Sequence, residues 1–193
     1  MAIDKVTSAS ITTDAVGPTQ LNEASNYAFT GTVTGAGGIT EADQWRLDAD
    51  VSTTSANVQT LVTNWERNDN TGFGYIGTGM SNSSGTFTFP STGIYLIEVV
   101  YGYRSESGGI QYQNVNIQTT TNNSAYSEQT ETYTASQASS VSRNVGTSTH
   151  IFDVTDTSNC KVRLYYFVEG TATLKGSSTK NATNVKFIRL GDT

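Results

Sequence analysis

At 193 residues the chain is sized for one domain with a substantial core, while a formal net charge of −6 and only 15% charged residues leave it little with which to grip phosphate. Its eleven Lys and Arg residues are scattered, which removes nucleic acid and anionic membrane surfaces from the expected partners. Ten Tyr and seven Phe, interleaved with Val, Ile, Thr and Gly-Asn turns, predict an all-β domain and exclude a helical bundle or a disordered tail. Cys160 is the single cysteine, so no intrachain disulfide can form, and beside Val162 and Leu164 it reads as a buried thiol. The start, MAIDKVTSAS, lacks the basic flank and apolar run of a secretory signal, so synthesis in a cytoplasm is expected. No window reaches the roughly 18 apolar residues of a membrane span, and no membrane insertion is expected.

Residues 1–43 read as an arm. Ile3, Val6 and Ile11 are isolated apolar groups in a polar stretch too poor to fold alone, which predicts an extended segment that orders against a partner. Tyr27, Phe29 and Val33 predict one short strand, and Gly35 to Gly38 a flexible joint. The core domain, 44–193, opens where Trp45, Leu47, Ala49 and Val51 alternate with Arg46, Asp48, Asp50 and Ser52, the period of a strand with one buried face. Leu61, Val62 and Trp65 are set among Thr and Asn and predict an irregular or short strand segment. Phe73 to Ile76 is the next candidate strand.

The stretch from Trp65 to Tyr103 reads as one hairpin unit. Thr86 to Phe89 is a strand, Pro90-Ser91-Thr92-Gly93 breaks it, and Ile94 to Tyr103 resumes as a β-branched and aromatic run. Pro90 cannot donate to a ladder and Gly93 supplies a backbone angle costly for other residues, so the two mark a defined antiparallel corner. Further strands are predicted at Ile110 to Thr120, Tyr126 to Thr134, Ser148 to Val154, Lys161 to Val168 and Val185 to Leu190. Eight to ten short strands in about 150 residues make a two-sheet antiparallel sandwich or jelly roll.

The side chains of a catalytic or metal centre are scarce. His150 is the one histidine, and beside Ile151 and Phe152 it is explained as an ordinary strand residue, with no serine marked as its nucleophile. Glu128 with Glu131, and Asp153 with Asp156, are the carboxylate pairs that glycoside hydrolysis could use, but the first would face opposite sides of a strand and the second flanks a turn, so neither is specific. The Asp153–Asp156 loop, with Thr155 and Ser158, could hold calcium, but a plain Asx turn explains it better. Asn82, Asn122 and Asn181 sit in glycosylation patterns and read more simply as turn residues. No catalytic residue, cofactor or metal ligand is therefore assigned. Aromatic residues exceed what one sandwich interior should need, which makes Tyr101, Tyr103, Tyr165, Phe167 and Phe187 candidates for a subunit interface. A carbohydrate-stacking surface of tyrosines is the alternative.

The order Trp65-Glu66-Arg67-Asn68, Tyr75, Gly85-Thr86-Phe87-Thr88-Phe89-Pro90, Gly93-Ile94-Tyr95, the turn Asp153-Val154-Thr155-Asp156, and the terminal Val185-Lys186-Phe187-Ile188-Arg189-Leu190 resembles the globular head of the C1q and tumour-necrosis-factor superfamily. The resemblance covers about residues 45–193, lacks the collagen-like stalk of animal members, and implies a jelly roll that assembles as a homotrimer. The arm, with Ser8-Ala9-Ser10-Ile11-Thr12 and Phe29-Thr30-Gly31-Thr32-Val33-Thr34-Gly35-Ala36, is similar to the leader of structural proteins from marine tailed bacteriophages. That likeness implies a non-enzymatic virion protein, synthesised in the host bacterial cytoplasm and anchored by its arm to phage capsid or tail proteins. A capsid decoration or cement protein is the first expectation. A tail fibre or receptor-binding tip, with a host-surface glycan as possible ligand, is the alternative.

Overall fold

The computed structural model describes residues 38–53, 58–105, 108–137 and 140–193. The arm residues Ile3, Val6, Ile11, Tyr27 and Phe29 lie outside the described residues, as does the short strand expected around Tyr27 to Val33. Every regular element described is a strand. In chain order these are β1 (Ala42–Leu47), β2 (Val51–Thr53), β3 (Thr60–Leu61), β4 (Trp65–Arg67), β5 (Ser81–Ser83), β6 (Thr86–Thr88), β7 (Gly93–Ser105), β8 (Ile110–Thr120), β9 (Ser127–Glu128), β10 (Thr134–Ser136), β11 (Ser142–Val154), β12 (Lys161–Val168), β13 (Ala172–Leu174) and β14 (Asn184–Gly191). No helix among the described residues is long and apolar enough to cross a membrane.

The strands form two antiparallel sheets. The first runs β2-β13-β7-β14-β1-β4, with β11 paired along the length of β7. The second runs β10-β8-β12-β6-β5, with β3 on β12 and β9 on β8. Between them lies the core, and β7 shows how it is built: Tyr95, Ile97, Val99, Tyr101 and Tyr103 are buried while the intervening residues are only half-buried. From the second sheet, Val115, Ile117, Val162, Leu164 and Tyr166 close the layer. Aromatic rings join the two sheets. Phe87 lies 5.0 Å from Phe187 and 5.5 Å from Trp45, and Phe89 lies 4.7 Å from Tyr95 and 5.7 Å from Phe152, ring centre to ring centre.

The corner at Pro90 and Gly93 forms, but it does not close a hairpin. β6 pairs with β5 and β12 in the second sheet, whereas β7 belongs to the first, so the four residues between carry the chain from one layer to the other. The physical reason is that Phe87, Phe89 and Tyr95 must all face the interior, which a flat two-stranded turn could not arrange. Tyr95 ties the corner from inside, its hydroxyl 2.9 Å from the Ser91 hydroxyl and donating to the Ser91 carbonyl at 3.2 Å. Arg189 Nε donates to the Thr92 carbonyl from outside at 2.8 Å.

Other sequence expectations are corrected by local chemistry. β1 starts at Ala42, two residues before the boundary read for the core domain, and it ends at Leu47, so Ala49 does not continue it. Phe73 to Ile76 is not a strand, because Gly72, Gly77 and Gly79 take positive φ and bend the segment into a loop. One bridge remains there, with Ile76 and Ala42 exchanging N–H···O bonds of 2.8 and 3.1 Å. Tyr126 to Thr134 breaks into β9 and β10, since the Thr130 hydroxyl accepts the Ile117 N–H at 2.9 Å where a ladder carbonyl would otherwise sit. The expected strand at Ser148 begins six residues earlier, and Lys161 to Val168 matches β12 end to end.

A buried carboxylate pins the loop that follows β4. Asp43 accepts from the Met80 N–H at 2.8 Å, Trp45 Nε1 at 2.9 Å, and Arg67 Nη2 and Nε at 3.0 and 3.2 Å. Arg67 in turn donates to the Met80 carbonyl and stands between the Trp45 and Tyr75 rings, 5.0 and 4.7 Å from their centres. The Asp43 side chain is 2% exposed, so its removal strands an arginine and a buried N–H. Asp43→Ala is expected to lower stability by about 3–5 kcal/mol in urea denaturation. Asp192→Ala, which loses the 92% exposed partner of Arg189, is expected to change it by less than about 0.5 kcal/mol. Equal losses would show that the Asp43 network does not hold the loop.

A second expectation concerns the corner. Gly93 has φ 143°, and a Cβ there would lie 2.6 Å from the Gly191 carbonyl oxygen and also meet the Arg189 guanidinium. Gly108 also has a positive φ, 87°, but nothing lies within 4 Å of a Cβ built on it. Gly108→Val therefore pays for backbone strain alone, whereas Gly93→Val adds a clash with fixed backbone. Gly93→Val is expected to cost about 2–4 kcal/mol and the Gly108 variant clearly less, read from urea midpoints of the two variants.

Candidate functional site

The residues that could carry chemistry are taken up by structure. His150 stacks on Phe152 at 6.1 Å, and partial burial holds its imidazole below the ordinary value. Asp156 accepts the Ser158 N–H and Asn159 Nδ2, both at 2.7 Å, an Asx turn in which those bonds hold its carboxyl below the usual range. Asp153 sits in β11 opposite Ile94, on an exposed position. Glu128 accepts from Gln59 at 2.9 Å, and Glu131 from the Tyr133 hydroxyl at 2.8 Å. Asn82 accepts the Gly85 N–H, Asn122 those of Ser124 and Ala125, and Asn181 the Asn68 amide, so each of the three serves a turn or loop. Cys160 is fully buried. Among the described residues no group of three or more His, Cys, Asp or Glu could hold a metal ion.

What the structure offers instead is two surfaces, one on the outside of each sheet. On the first sheet, the register lines up Ile76, Ala42, Ile188, Leu96 and Ile151 as successive cross-strand neighbours. At ~4.8 Å per strand this is an apolar row about 19 Å long. Ile76 and Ile151 are 49% and 59% exposed, and Leu96 and Ile188 are half-buried only by their neighbours. The next row carries an ion pair, Lys186 Nζ to Glu98 Oε1 at 2.5 Å. A groove of about 430 Å³ runs beside the row, lined by Tyr75, Ile76, Gln44, Lys186 and Ile188 among others. No local pattern in the sequence discloses this row, because its members come from separate strands that only the register brings side by side.

The aromatic interface candidates divide. Tyr101, Tyr103 and Phe187 are 0–1% exposed within the single chain, so they are core residues and cannot face another copy. Burial pushes the Tyr101 phenol up to about 12. The surplus that suggested an interface is absorbed because both sheets send large rings inward. Tyr165 and Phe167 are the exceptions: they alternate with buried Leu164, Tyr166 and Val168 and stand half-buried on the outer face of the second sheet. Phe167 stacks on Tyr112 at 5.8 Å with 15° between planes, and Tyr133 meets Tyr112 edge-on at 5.8 Å. The three rings line a cleft of about 380 Å³.

No protein-family model matches the chain, and no curated protein matches it. Solved structures do. A crystal structure of murine APRIL at pH 5.0 aligns with 78% of this chain and 98% of its own at TM-score 0.56 and 13% identity. Eiger TNF from S. frugiperda aligns with 81% of this chain and 96% of its own at TM-score 0.58 and 12% identity. The PRD1 vertex protein P5 covers 80% of this chain and 100% of its own at 0.47 and 15%. At such identities the likeness concerns the fold alone, and with the sheet order above it makes the described strands a two-sheet antiparallel jelly roll like that of the tumour-necrosis-factor structures.

Proposed function

We propose that this chain is a non-enzymatic structural protein of a tailed bacteriophage particle. Its jelly-roll head assembles as a homotrimer displayed on the virion and its N-terminal arm makes the attachment, as a capsid decoration or cement protein. The observation that carries the assembly is the row Ile76, Ala42, Ile188, Leu96 and Ile151, an apolar strip on an outer sheet face that a single subunit leaves in water. Second and third copies of the same head are its occupants, as the superfamily resemblance implies. The ion pair Lys186–Glu98 beside the row neutralises its own charges, so burying the face leaves no lone ion there. The phage assignment draws on the arm's likeness to virion leaders and on an acidic, Thr- and Asn-rich composition. A second reading, a tail fibre or receptor-binding tip, is favoured by the open aromatic cleft of Tyr112, Tyr133 and Phe167.

Mass photometry at micromolar concentration is expected to give a species at three times the 20.6 kDa chain mass, with each subunit burying on the order of 2,000 Å² in its contacts. The double variant Leu96→Asp with Ile151→Asp is expected to release folded monomers with an unchanged far-ultraviolet dichroism spectrum. A stable 20.6 kDa species for the unaltered chain would overturn the trimer.

Removing residues 1–37 is expected to leave a folded trimer, because every described strand and every core residue among the described residues lies at Ala42 or beyond. The same truncation is expected to abolish attachment to particles assembled without the protein. Normal occupancy of the truncated head on such particles would move the attachment surface onto the jelly roll and refute the arm as anchor.

A further inference from the structure

The outer face of the second sheet holds a polar feature that packing does not explain. β8 sends Val115 and Ile117 into the core, so Asn114 and Asn116 belong to the opposite, outward face together with Tyr112. Asn114 is nevertheless 0% exposed, and neither its amide nitrogen nor its amide oxygen has a hydrogen-bond partner among the described residues. The Asn116 oxygen, in a residue 1% exposed, has no partner among the described residues either. Buried amides without partners are costly, on the order of 1–3 kcal/mol for each group, and a native protein retains one where something else supplies the bonds.

The register says where this amide stands. Asn114 is directly opposite Phe167, and Asn116 directly opposite Tyr165. Tyr112 precedes Asn114 by two positions on the same face, and its ring stacks on that of Phe167. Tyr133 closes the far side of the cleft, 46% exposed, with its hydroxyl oriented by Glu131. That bond, helped by burial, pushes the Tyr133 phenol up to about 12, and it commits the hydroxyl's one proton to Glu131, which leaves Tyr133 to offer its ring and its oxygen as acceptor. The cleft itself is lined by two near-parallel aromatic faces and an edge-on tyrosine wall, and beneath them, fully buried at sheet level, stands a carboxamide with donors and an acceptor unspent, which a ligand reaches only where the rings part.

We propose that this cleft is a binding site for a neutral pyranose unit of a surface glycan. A pyranose matches the parts: its axial C–H face lies on an aromatic ring, and vicinal hydroxyls offer the donor and acceptor that one carboxamide pairs with. An anionic sugar fits poorly, because Glu131 stands beside Tyr133, Glu169 accepts from Gln111 next to Tyr112, and the chain carries a net charge of −6. The inference deepens the reading of an exposed head, by giving that head a ligand class. It does not depend on attachment to a particle.

The test is saturation-transfer NMR on the full-length purified protein with methyl glycosides of glucose, galactose, mannose and N-acetylglucosamine, and with sialic acid as the anionic control. At least one neutral glycoside is expected to receive saturation at its ring hydrogens, with sialic acid about tenfold weaker. Tyr133→Ala and Phe167→Ala are each expected to weaken that glycoside about tenfold, the scale of one lost aromatic contact. Asn114→Leu, which removes the polar atoms and keeps the bulk, is expected to do the same. Ile151→Ser, on the other sheet, is expected to leave binding unchanged. Absence of transfer to all four neutral glycosides would overturn the proposal, as would transfer that survives loss of Tyr133 and of Phe167, or sialic acid binding equally well. Because no particle enters the measurement, its failure leaves the virion reading standing, and a failure to attach to particles leaves this site standing.

Discussion

The two sheets are held by a pair of phenylalanines on one very short strand. β6 contributes three residues to the second sheet, yet Phe87, within it, and Phe89, just beyond it, reach Phe187, Tyr95 and Phe152 on three strands of the first. Burying one phenylalanine contributes about 2–3 kcal/mol by area, and ring-to-ring geometry adds to it. The geometry of the corner follows from these rings. Once Phe89 is inside, the chain must leave the second sheet, and Pro90, unable to donate to a ladder, is where it does so. Gly93 then lets β7 start in the first sheet with its first buried side chain at Tyr95.

β7 carries the consequence furthest. It is thirteen residues long, paired with β11 on one edge and with β14 and β13 on the other, so its outward residues are the centre of whatever the first sheet presents. Its inward set is large and apolar from Tyr95 to Tyr103, between Gly93 and a buried Ser105 at its ends. The outward set, Ile94, Leu96, Glu98, Val100, Gly102 and Arg104, is mixed, with an ion pair from Glu98 to Lys186. A surface of that kind tolerates water in the monomer and loses little when covered, which is the balance a subunit face requires.

The strand run from Lys161 to Val168, the Pro-Gly break and the two-sheet class were legible because they rest on local chemistry: alternation, a missing donor, a permissive backbone angle. The side to which each aromatic points was legible in part. In Ile94 to Tyr103 the lone Glu98 and Gly102 share parity with Leu96, which marks that set as outward and Tyr101 and Tyr103 as inward; the number of rings drew attention away from their parity. Lys161 to Val168 held the same signal, with Arg163 sharing the parity of Tyr165 and Phe167. What no local pattern could disclose is the register between distant strands. The neighbours Ile188, Leu96 and Ile151 come from three parts of the chain, and Asn114 meets Phe167 across more than fifty residues of sequence. The Phe73 to Ile76 segment fails for the opposite reason, since its local aromatic alternation is plain while the positive φ of Gly72, Gly77 and Gly79 bends it into a loop.

The two surfaces lie on opposite sides of the sandwich, and that separation decides how they can work together. Residues of the apolar row belong to strands of the first sheet or bridge to it, and residues of the aromatic cleft belong to β8, β12 and the segment leading into β10 in the second. In the proposed trimer, contacts made through the first face would not themselves cover the cleft on the second, so each of three copies would keep its own. A single shallow aromatic site binds a sugar weakly, since it offers few polar contacts and no enclosure. Three on one rigid assembly, repeated over a particle, gain through effective concentration what each lacks in affinity. Disrupting the row should then weaken adhesion to a glycan-bearing surface far more than it weakens binding of a free monosaccharide, because only the former draws on several clefts at once.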